Sequence, residues 1–276
     1  TSTGQFRVTT SFPGIELHSI PVSEIQAAAN PSRPIFFMHI PKTAGTSFNN
    51  HVHGWFGYGK WHSHIEVLSQ ETQRNLLSEP QYVAGHLPFF RLLELGIDLE
   101  QFDFHTILRE PYRQIHSHLA WIRGVGLDSG SPFFHAHPPA VQELALVLRS
   151  QDLSTSNGLT RFVDQIEGFQ CDFFDNIQSR YLLDARPDRV GEDDLALALE
   201  NLSRFSTIGV TERYQQYVAR CAKFYGRRHL PQKTRHNPSR VDPLFDYRDE
   251  SIRSALYPLV RYDQALYAKV VESLTN

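Results

Sequence analysis

Residues 35–48 read IFFMHIPKTAGTSF, and this segment joins an apolar run to a loop of small residues and then to a helical pattern. The run at 35–40 lies between Pro34 and Pro41, as is typical of a short strand buried on both faces of a parallel sheet. Apolar residues then recur at helical spacing, at Phe48, Val52, Trp55 and Phe56. The segment therefore predicts a strand, a loop and a helix in direct succession.

The loop within this segment has the features of an anion site. A helix N-terminus offers several backbone N–H groups and the positive end of the helix dipole to one point. Gly45 lets the backbone approach a ligand closely, and Lys42 adds a full positive charge. The lysine precedes the glycine, unlike the lysine of the kinase and ATPase loop, and the segment lacks the glycine pattern of dinucleotide-binding folds.

Strand and helix patterns alternate along the rest of the chain. Strands are predicted at 81–85, 104–108 and 206–210, and Pro111 is suited to the first turn of a helix. Further helices are predicted around 141–148, 195–202 and 214–224 and over the last thirty residues. We expect an α/β fold, a single P-loop-like domain over residues 1–276 with a central parallel sheet flanked by helices, helical insertions and a peripheral arm at 1–34.

Composition narrows the class of protein. The chain has 276 residues and a net charge of -3, which disfavours a general nucleic-acid binder. Its two cysteines, Cys171 and Cys221, suit two buried thiols, with a single bridge as the alternative. No apolar run has the length of a membrane span. We expect a cytoplasmic protein if the chain is complete; the alternative is that an anchor or neighbouring domain preceded Thr1.

Residues 37–48 closely resemble the 5'-phosphosulfate loop of sulfotransferases that use 3'-phosphoadenosine-5'-phosphosulfate (PAPS), in the branch containing heparan sulfate 2-O-sulfotransferase. The resemblance implies that PAPS is the sulfuryl donor and adenosine 3',5'-bisphosphate the product. It assigns donor binding to Lys42, Thr43, Ala44, Gly45, Thr46 and Ser47.

A second anion motif follows at residues 107–117, which read ILREPYRQIHS. An arginine at a strand end and a serine two turns into the next helix can both reach one phosphate. The motif resembles the family's 3'-phosphate site, which assigns that phosphate to Arg109 and Ser117. Arg113 is either a helper or, as we expect, a solvated side chain.

The candidate catalytic base is His86, which follows a predicted strand ending at the same sheet edge as the loop. An imidazole suits proton abstraction near neutral pH. Gly85-His86 resembles the Gly-His pair that carries the proposed base in the heparan 2-O-sulfotransferases, with Lys42 as the cation nearest the bridging oxygen. Those enzymes have a second histidine where this chain has Ala84. For the other nearby histidines we expect structural roles: His39, His51, His53, His62 and His64.

Other matches are looser. Residues 178–182 and 209–212 resemble further family segments, and Lys233 and Thr234 lie in a stretch that resembles the loop over the nucleotide. Residues 128–167 have no match, and we expect them to shape the acceptor side. His135 and His137 have the composition of metal ligands, but in-line sulfuryl transfer requires no metal, so we expect none.

The expected activity is therefore O-sulfation of an acceptor hydroxyl from PAPS by in-line displacement, with a histidine base. The resemblance favours a glycan or glycoconjugate as acceptor; lipid, polyketide and peptide hydroxyls remain alternatives, and the oligomeric state is open. Two other functions also remain open. One is a P-loop-type kinase or phosphotransferase, and the other is a non-catalytic nucleotide-binding module.

Overall fold

A computed structural model of the chain describes residues 33–56, 60–78, 82–227 and 244–275. Its sheet contains five strands: β1 (Ile35–Met38), β2 (Trp61–His62), β3 (Tyr82–Gly85), β4 (Asp103–Leu108) and β5 (Phe205–Val210). The longer helices are α1 (Gly45–His53), α2 (Gln70–Leu77), α4 (Pro111–Val125), α6 (Pro139–Ser150), α7 (Ser156–Gln165), α10 (Glu192–Asn201), α11 (Tyr214–Phe224) and α12 (Glu250–Ser273). The short helices are α3 (Phe89–Glu94), α5 (Pro132–His135), α8 (Cys171–Phe174) and α9 (Ile177–Arg180).

The sheet has the order β2-β3-β1-β4-β5, and every pairing in it is parallel. The first strand of the sheet, β1, is also its central strand. The next two strands, β2 and β3, lie on one side of it, and β4 and β5 lie on the other, so the strand order reverses at β1. This reversal is the position at which open parallel sheets bind ligands, outside the carboxyl ends of their strands. The loop after β1 therefore begins at the centre of that edge.

Helices cover both faces of the sheet. Because successive side chains of a strand point to opposite faces, the side chains of β1 alternate between two apolar clusters. Phe36 and Met38 point to the face that packs against α3, α10 and α12, whereas Ile35 and Phe37 point to the face covered by α1 and α11. A third apolar cluster lies among α4, α6, α7 and α12, away from the sheet. Burial on two faces explains why β1 reads as a continuous apolar run.

Helix α12 contains Pro258, and in the turn that follows it Asn176 inserts between carbonyl and N–H groups of the helix. The backbone N–H and side-chain amide of Asn176 donate to the carbonyls of Leu259 and Pro258, at 2.8 and 3.1 Å. Its side-chain oxygen accepts from the N–H groups of Tyr262 and Asp263. Asn176 thereby fixes the segment that leads into α9 against the C-terminal helix.

The α/β fold with a central parallel sheet flanked by helices is confirmed. The strands predicted at 81–85, 104–108 and 206–210, and the helix at Pro111, occur within two residues of the expected bounds. The two-residue strand β2 was not predicted, because it is too short to form an apolar pattern. Cys171 and Cys221 are both free and buried, as expected. Among the described residues no helix has the length and hydrophobicity needed to cross a bilayer.

Candidate functional site

The loop between β1 and α1 turns sharply through two left-handed residues. Lys42 has a φ of 65° and Ala44 a φ of 68°. Between them, the Thr43 hydroxyl is buried and donates to the Ile40 carbonyl at 2.8 Å, which ties the turn to the end of β1. No side chain caps the N-terminus of α1, so the first N–H groups of Gly45, Thr46 and Ser47 keep their capacity to bind an anion.

The second predicted anion motif lies against this loop. Arg109 follows β4, next to β1, and its guanidinium Nη1 donates to the Lys42 carbonyl at 3.0 Å. One turn into α4, the Gln114 amide donates to the Pro41 carbonyl at 2.9 Å. The structure thus brings together Arg109 and the loop of residues 41–47, which are about seventy positions apart in sequence.

Gln178 holds the Arg109 backbone in place. Its side-chain oxygen accepts from the Arg109 N–H at 2.8 Å, and its amide donates to the Arg109 carbonyl at 2.9 Å. The Gln178 N–H in turn donates to the carboxylate of Asp263 on α12. Residues 178–182 were only a loose match in the sequence, and the structure gives Gln178 a definite role in positioning Arg109.

The remaining residues of the second motif differ in their surroundings. Ser117 is buried on α4, two turns after Pro111. Arg113 is half-buried, and its guanidinium lies 3.7 Å from the Glu212 carboxylate and 5.9 Å from the Tyr247 ring centroid. These contacts fit a structural role for Arg113.

Lys42 lies in a partly buried environment beside an aromatic ring. Its Nζ is 5.8 Å from the Trp121 ring centroid. Burial lowers the pKa of the Lys42 ammonium, and the nearby Arg109 guanidinium lowers it further. A lysine whose charge is poorly solvated gains more from an incoming anion than an exposed lysine does.

His86 extends from the end of β3 next to the end of β1. The register pairs Met38 with Gly85, so His39 and His86 are the next residues of two adjacent strands, and their ring centroids are 4.2 Å apart. The Nδ1 atom of His86 is hydrogen-bonded to the His39 carbonyl, and its backbone N–H donates to the Glu66 carboxylate at 3.0 Å. Burial is the main cause that lowers the pKa of the His86 imidazole.

His64, which follows β2, completes a group of three imidazoles that we call the histidine cluster: His39, His64 and His86. One ring nitrogen from each lies within 4.8 Å of the others. The Glu66 carboxylate accepts from Nδ1 of His64 at 3.1 Å, and this hydrogen bond raises the pKa of His64. The pKa of His39 is well below its ordinary value, first because of burial and then because of His86 and His64.

Sequence reasoning selected only His86 from this cluster. A purely structural role for His39 and His64 stays a prediction, but both side chains lie beside the candidate base. For His39 the available signal was its position directly after the apolar strand β1, because the carboxyl ends of parallel strands meet at one edge. Of the predicted site residues, Lys233 and Thr234 lie outside the described part of the chain.

No family profile matches the chain, and no curated protein matches it.

Proposed function

We propose that this protein is a sulfotransferase that moves the sulfuryl group of PAPS to an acceptor hydroxyl, within a P-loop-like cradle. The observation that carries the proposal is the contact between the two anion motifs, in which Arg109 donates to the Lys42 carbonyl. A nucleotide with phosphates at both the 5' and 3' positions needs two anion sites held at a fixed separation. The contact supports two such sites on one rigid edge.

The 5'-phosphosulfate would bind at the turn of residues 41–47. The left-handed Lys42 and Ala44 bend the backbone around the N-terminus of α1, where uncapped N–H groups can donate to the anion. The 3'-phosphate would bind between Arg109 and Ser117. The Gln178 contacts fix the Arg109 backbone, which limits the entropy lost when the guanidinium binds.

Transfer requires a base on the acceptor side and a cation at the leaving group. His86 is the base in this proposal: the bond from Nδ1 to the His39 carbonyl leaves Nε2 to accept the hydroxyl proton. The lowered pKa of His86 keeps the imidazole neutral, and therefore basic, at pH 7. Lys42 would stabilise the charge that develops on the bridging oxygen as the sulfur–oxygen bond breaks.

The acceptor would approach from the side of Trp121. The Trp121 ring lies over Lys42 and contacts His137, with ring centroids 5.4 Å apart, so residues 128–167 border the donor site. Trp121 is only partly buried, and the exposed part of an aromatic ring can pack against a sugar, which agrees with the glycan acceptor that the resemblance favours. A kinase and a non-catalytic nucleotide-binding module are the competing functions.

A thermal-shift comparison of three ligands tests the donor site, because a ligand that binds only the folded state raises the unfolding temperature with its concentration. We expect adenosine 3',5'-bisphosphate to stabilise the protein more than AMP or ATP with Mg²⁺. Lys42→Ala should reduce that stabilisation, whereas Lys223→Ala, at an exposed position on α11, should leave it intact.

The outcomes separate the three functions. Preferential stabilisation by ATP with Mg²⁺ would favour the kinase and contradict the proposal. Stabilisation by the bisphosphate without transfer of labelled sulfate to any hydroxyl acceptor would indicate a binding module. Where turnover is found, His86→Ala should remove it while bisphosphate binding remains.

A further inference from the structure

The histidine cluster is built from three neighbouring strands of the sheet. His39 follows β1, His86 follows β3, and His64 lies two residues after β2, and these strands are adjacent in the order β2-β3-β1. Parallel strands end at the same edge, so the fold itself brings the three imidazoles together. His64 reaches this position through a left-handed backbone conformation, with a φ of 56°.

Hydrogen bonds to oxygen atoms orient two of the three rings. Nδ1 of His64 is bonded to the Glu66 carboxylate at 3.1 Å, and Nδ1 of His86 is bonded to the His39 carbonyl. Metal-binding histidines commonly donate one ring N–H to a carboxylate or a carbonyl in this way, which leaves the other nitrogen for the metal. The same Glu66 carboxylate accepts the N–H of His86 and links the two residues.

The third ring carries an independent indication of a ligand. His39 is 4% exposed, and its Nδ1 is buried without a hydrogen-bond partner in the described residues. The Cδ2–Nε2 edge of the same ring packs against Gly45, where a Cβ would lie 2.0 Å from Cδ2. A buried ring nitrogen without a partner is costly, and a ligand bound through Nδ1 would satisfy it.

We propose that His39, His64 and His86 form a binding site for a divalent transition-metal ion, with Zn²⁺ as the expected occupant. Imidazole ligands favour zinc, copper and nickel over magnesium or calcium, which prefer oxygen. Three histidines with an open fourth position match a tetrahedral zinc site, whose Zn–N distances are about 2.0–2.1 Å. The ring nitrogens lie within 4.8 Å of one another and must move closer together to reach this geometry.

Two charged groups affect the affinity of this site. The Glu66 carboxylate favours a bound cation, whereas the Lys42 ammonium, which lowers the pKa of His39 and His86, opposes it. If the proposed function also holds, a metal on Nε2 of His86 would occupy the lone pair that the base needs. Zn²⁺ would then inhibit sulfuryl transfer, and a chelator would restore it.

Metal titration of the full chain tests the site without reference to activity. The protein is first stripped with a chelator, then titrated with Zn²⁺ by calorimetry and with Co²⁺ by visible absorption, since tetrahedral Co²⁺ absorbs far more strongly than octahedral Co²⁺. His64→Ala is the first variant, because this side chain is 47% exposed and its loss disturbs little packing. His62→Ala, on β2, is the matched control.

We expect one Zn²⁺ to bind the wild type and His62→Ala with equal affinity, and at least tenfold more weakly to His64→Ala. The tetrahedral Co²⁺ spectrum should disappear in His64→Ala. Equal binding by both variants would assign the metal to histidines outside the cluster, since the chain has fourteen histidines in all. That result, or the absence of binding, would overturn the proposal. Bisphosphate thermal shifts on the same samples report on the donor site separately.

Discussion

Two polar clusters of this protein differ in how completely their buried polar groups are paired. In the first, which we call the arginine network, Arg180 is 1% exposed and its guanidinium is fully surrounded by acceptors. It bonds to the Asp175 carboxylate at 2.7 Å, to the Asp172 carboxylate at 3.3 Å and to the Pro187 carbonyl at 2.6 Å. The second is the sheet edge with Lys42 and the histidine cluster, where a buried ring nitrogen of His39 has no partner among the described residues.

The difference separates structural from functional polar groups. A buried charge that has every partner supplied by the chain holds segments together and leaves nothing for a ligand. At the sheet edge, the pKa values of Lys42 and His86 are lowered mainly because both groups are buried, so they are desolvated without a ligand. Such poorly compensated groups are typical of sites that bind or transfer something.

Breaking the arginine network should have the largest effect on stability. Arg180→Ala leaves the buried Asp175 carboxylate without its cation, and we expect a loss of about 3–5 kcal/mol in the free energy of unfolding, measured by urea denaturation. Arg186→Ala is the control, because Arg186 also pairs with Asp172, at 2.6 Å, but is 50% exposed. Its removal should cost less than about 1 kcal/mol. Similar losses for both variants would contradict the inference that the buried pair of Arg180 and Asp175 stabilises the fold.

A substitution at Gly45 should affect the sheet edge itself. The Cβ of Gly45→Ala would lie 2.0 Å from Cδ2 of the buried His39 ring, so either the ring or the start of α1 must move. We expect a loss of about 1–3 kcal/mol in the free energy of unfolding, as for other overpacked sites. Adenosine 3',5'-bisphosphate should bind at least tenfold more weakly by calorimetry.

Gly54→Ala provides the control at the other end of the same helix. Gly54 has a φ of -72°, which any residue adopts, and the nearest atom to its added Cβ is a carbonyl oxygen at 3.6 Å. We expect no loss of stability, and a gain of up to about 1 kcal/mol. A Gly45→Ala variant that behaved like Gly54→Ala would contradict the close packing of His39 on the loop.

The sequence predicted the parts of this site that are local. Residues 35–48 indicated a strand, a loop and a helix because each has a distinct pattern of apolar and small residues. Arg109 was placed at the same edge because it also follows an apolar strand. His86 was selected because it follows a predicted strand that ends at the same sheet edge as the loop, and because Gly85-His86 resembles the Gly-His pair of the heparan 2-O-sulfotransferases.

The parts that depend on strand order could not be predicted. The heparan 2-O-sulfotransferases that the sequence resembles have a second histidine where this chain has Ala84. In the structure, however, the residue beside His86 is His39, at the end of the neighbouring strand. His64 follows a strand of only two residues, which leaves no pattern to recognise. Gln178 reaches Arg109 across 69 positions, and no local feature of either segment indicates this contact.

The smallest expected effect concerns the strain in the loop at Ala44. A left-handed conformation costs an L-residue about 1–2 kcal/mol, and glycine adopts it freely. Glycine also gains entropy in the unfolded chain, so Ala44→Gly should raise the free energy of unfolding by at most about 1 kcal/mol. The same substitution at the exposed Ala196, within α10, should instead lower it by about 0.5–1 kcal/mol.

The opposite signs of these two changes, measured side by side by urea denaturation, are the test of strain at Ala44. Equal losses would mean that the left-handed turn is not strained. A gain at Ala44 together with weaker bisphosphate binding would show more: the chain tolerates a strained residue there because the bent backbone aims its N–H groups at the anion before the anion binds. The arginine network needs no such device, because its partners are already in place.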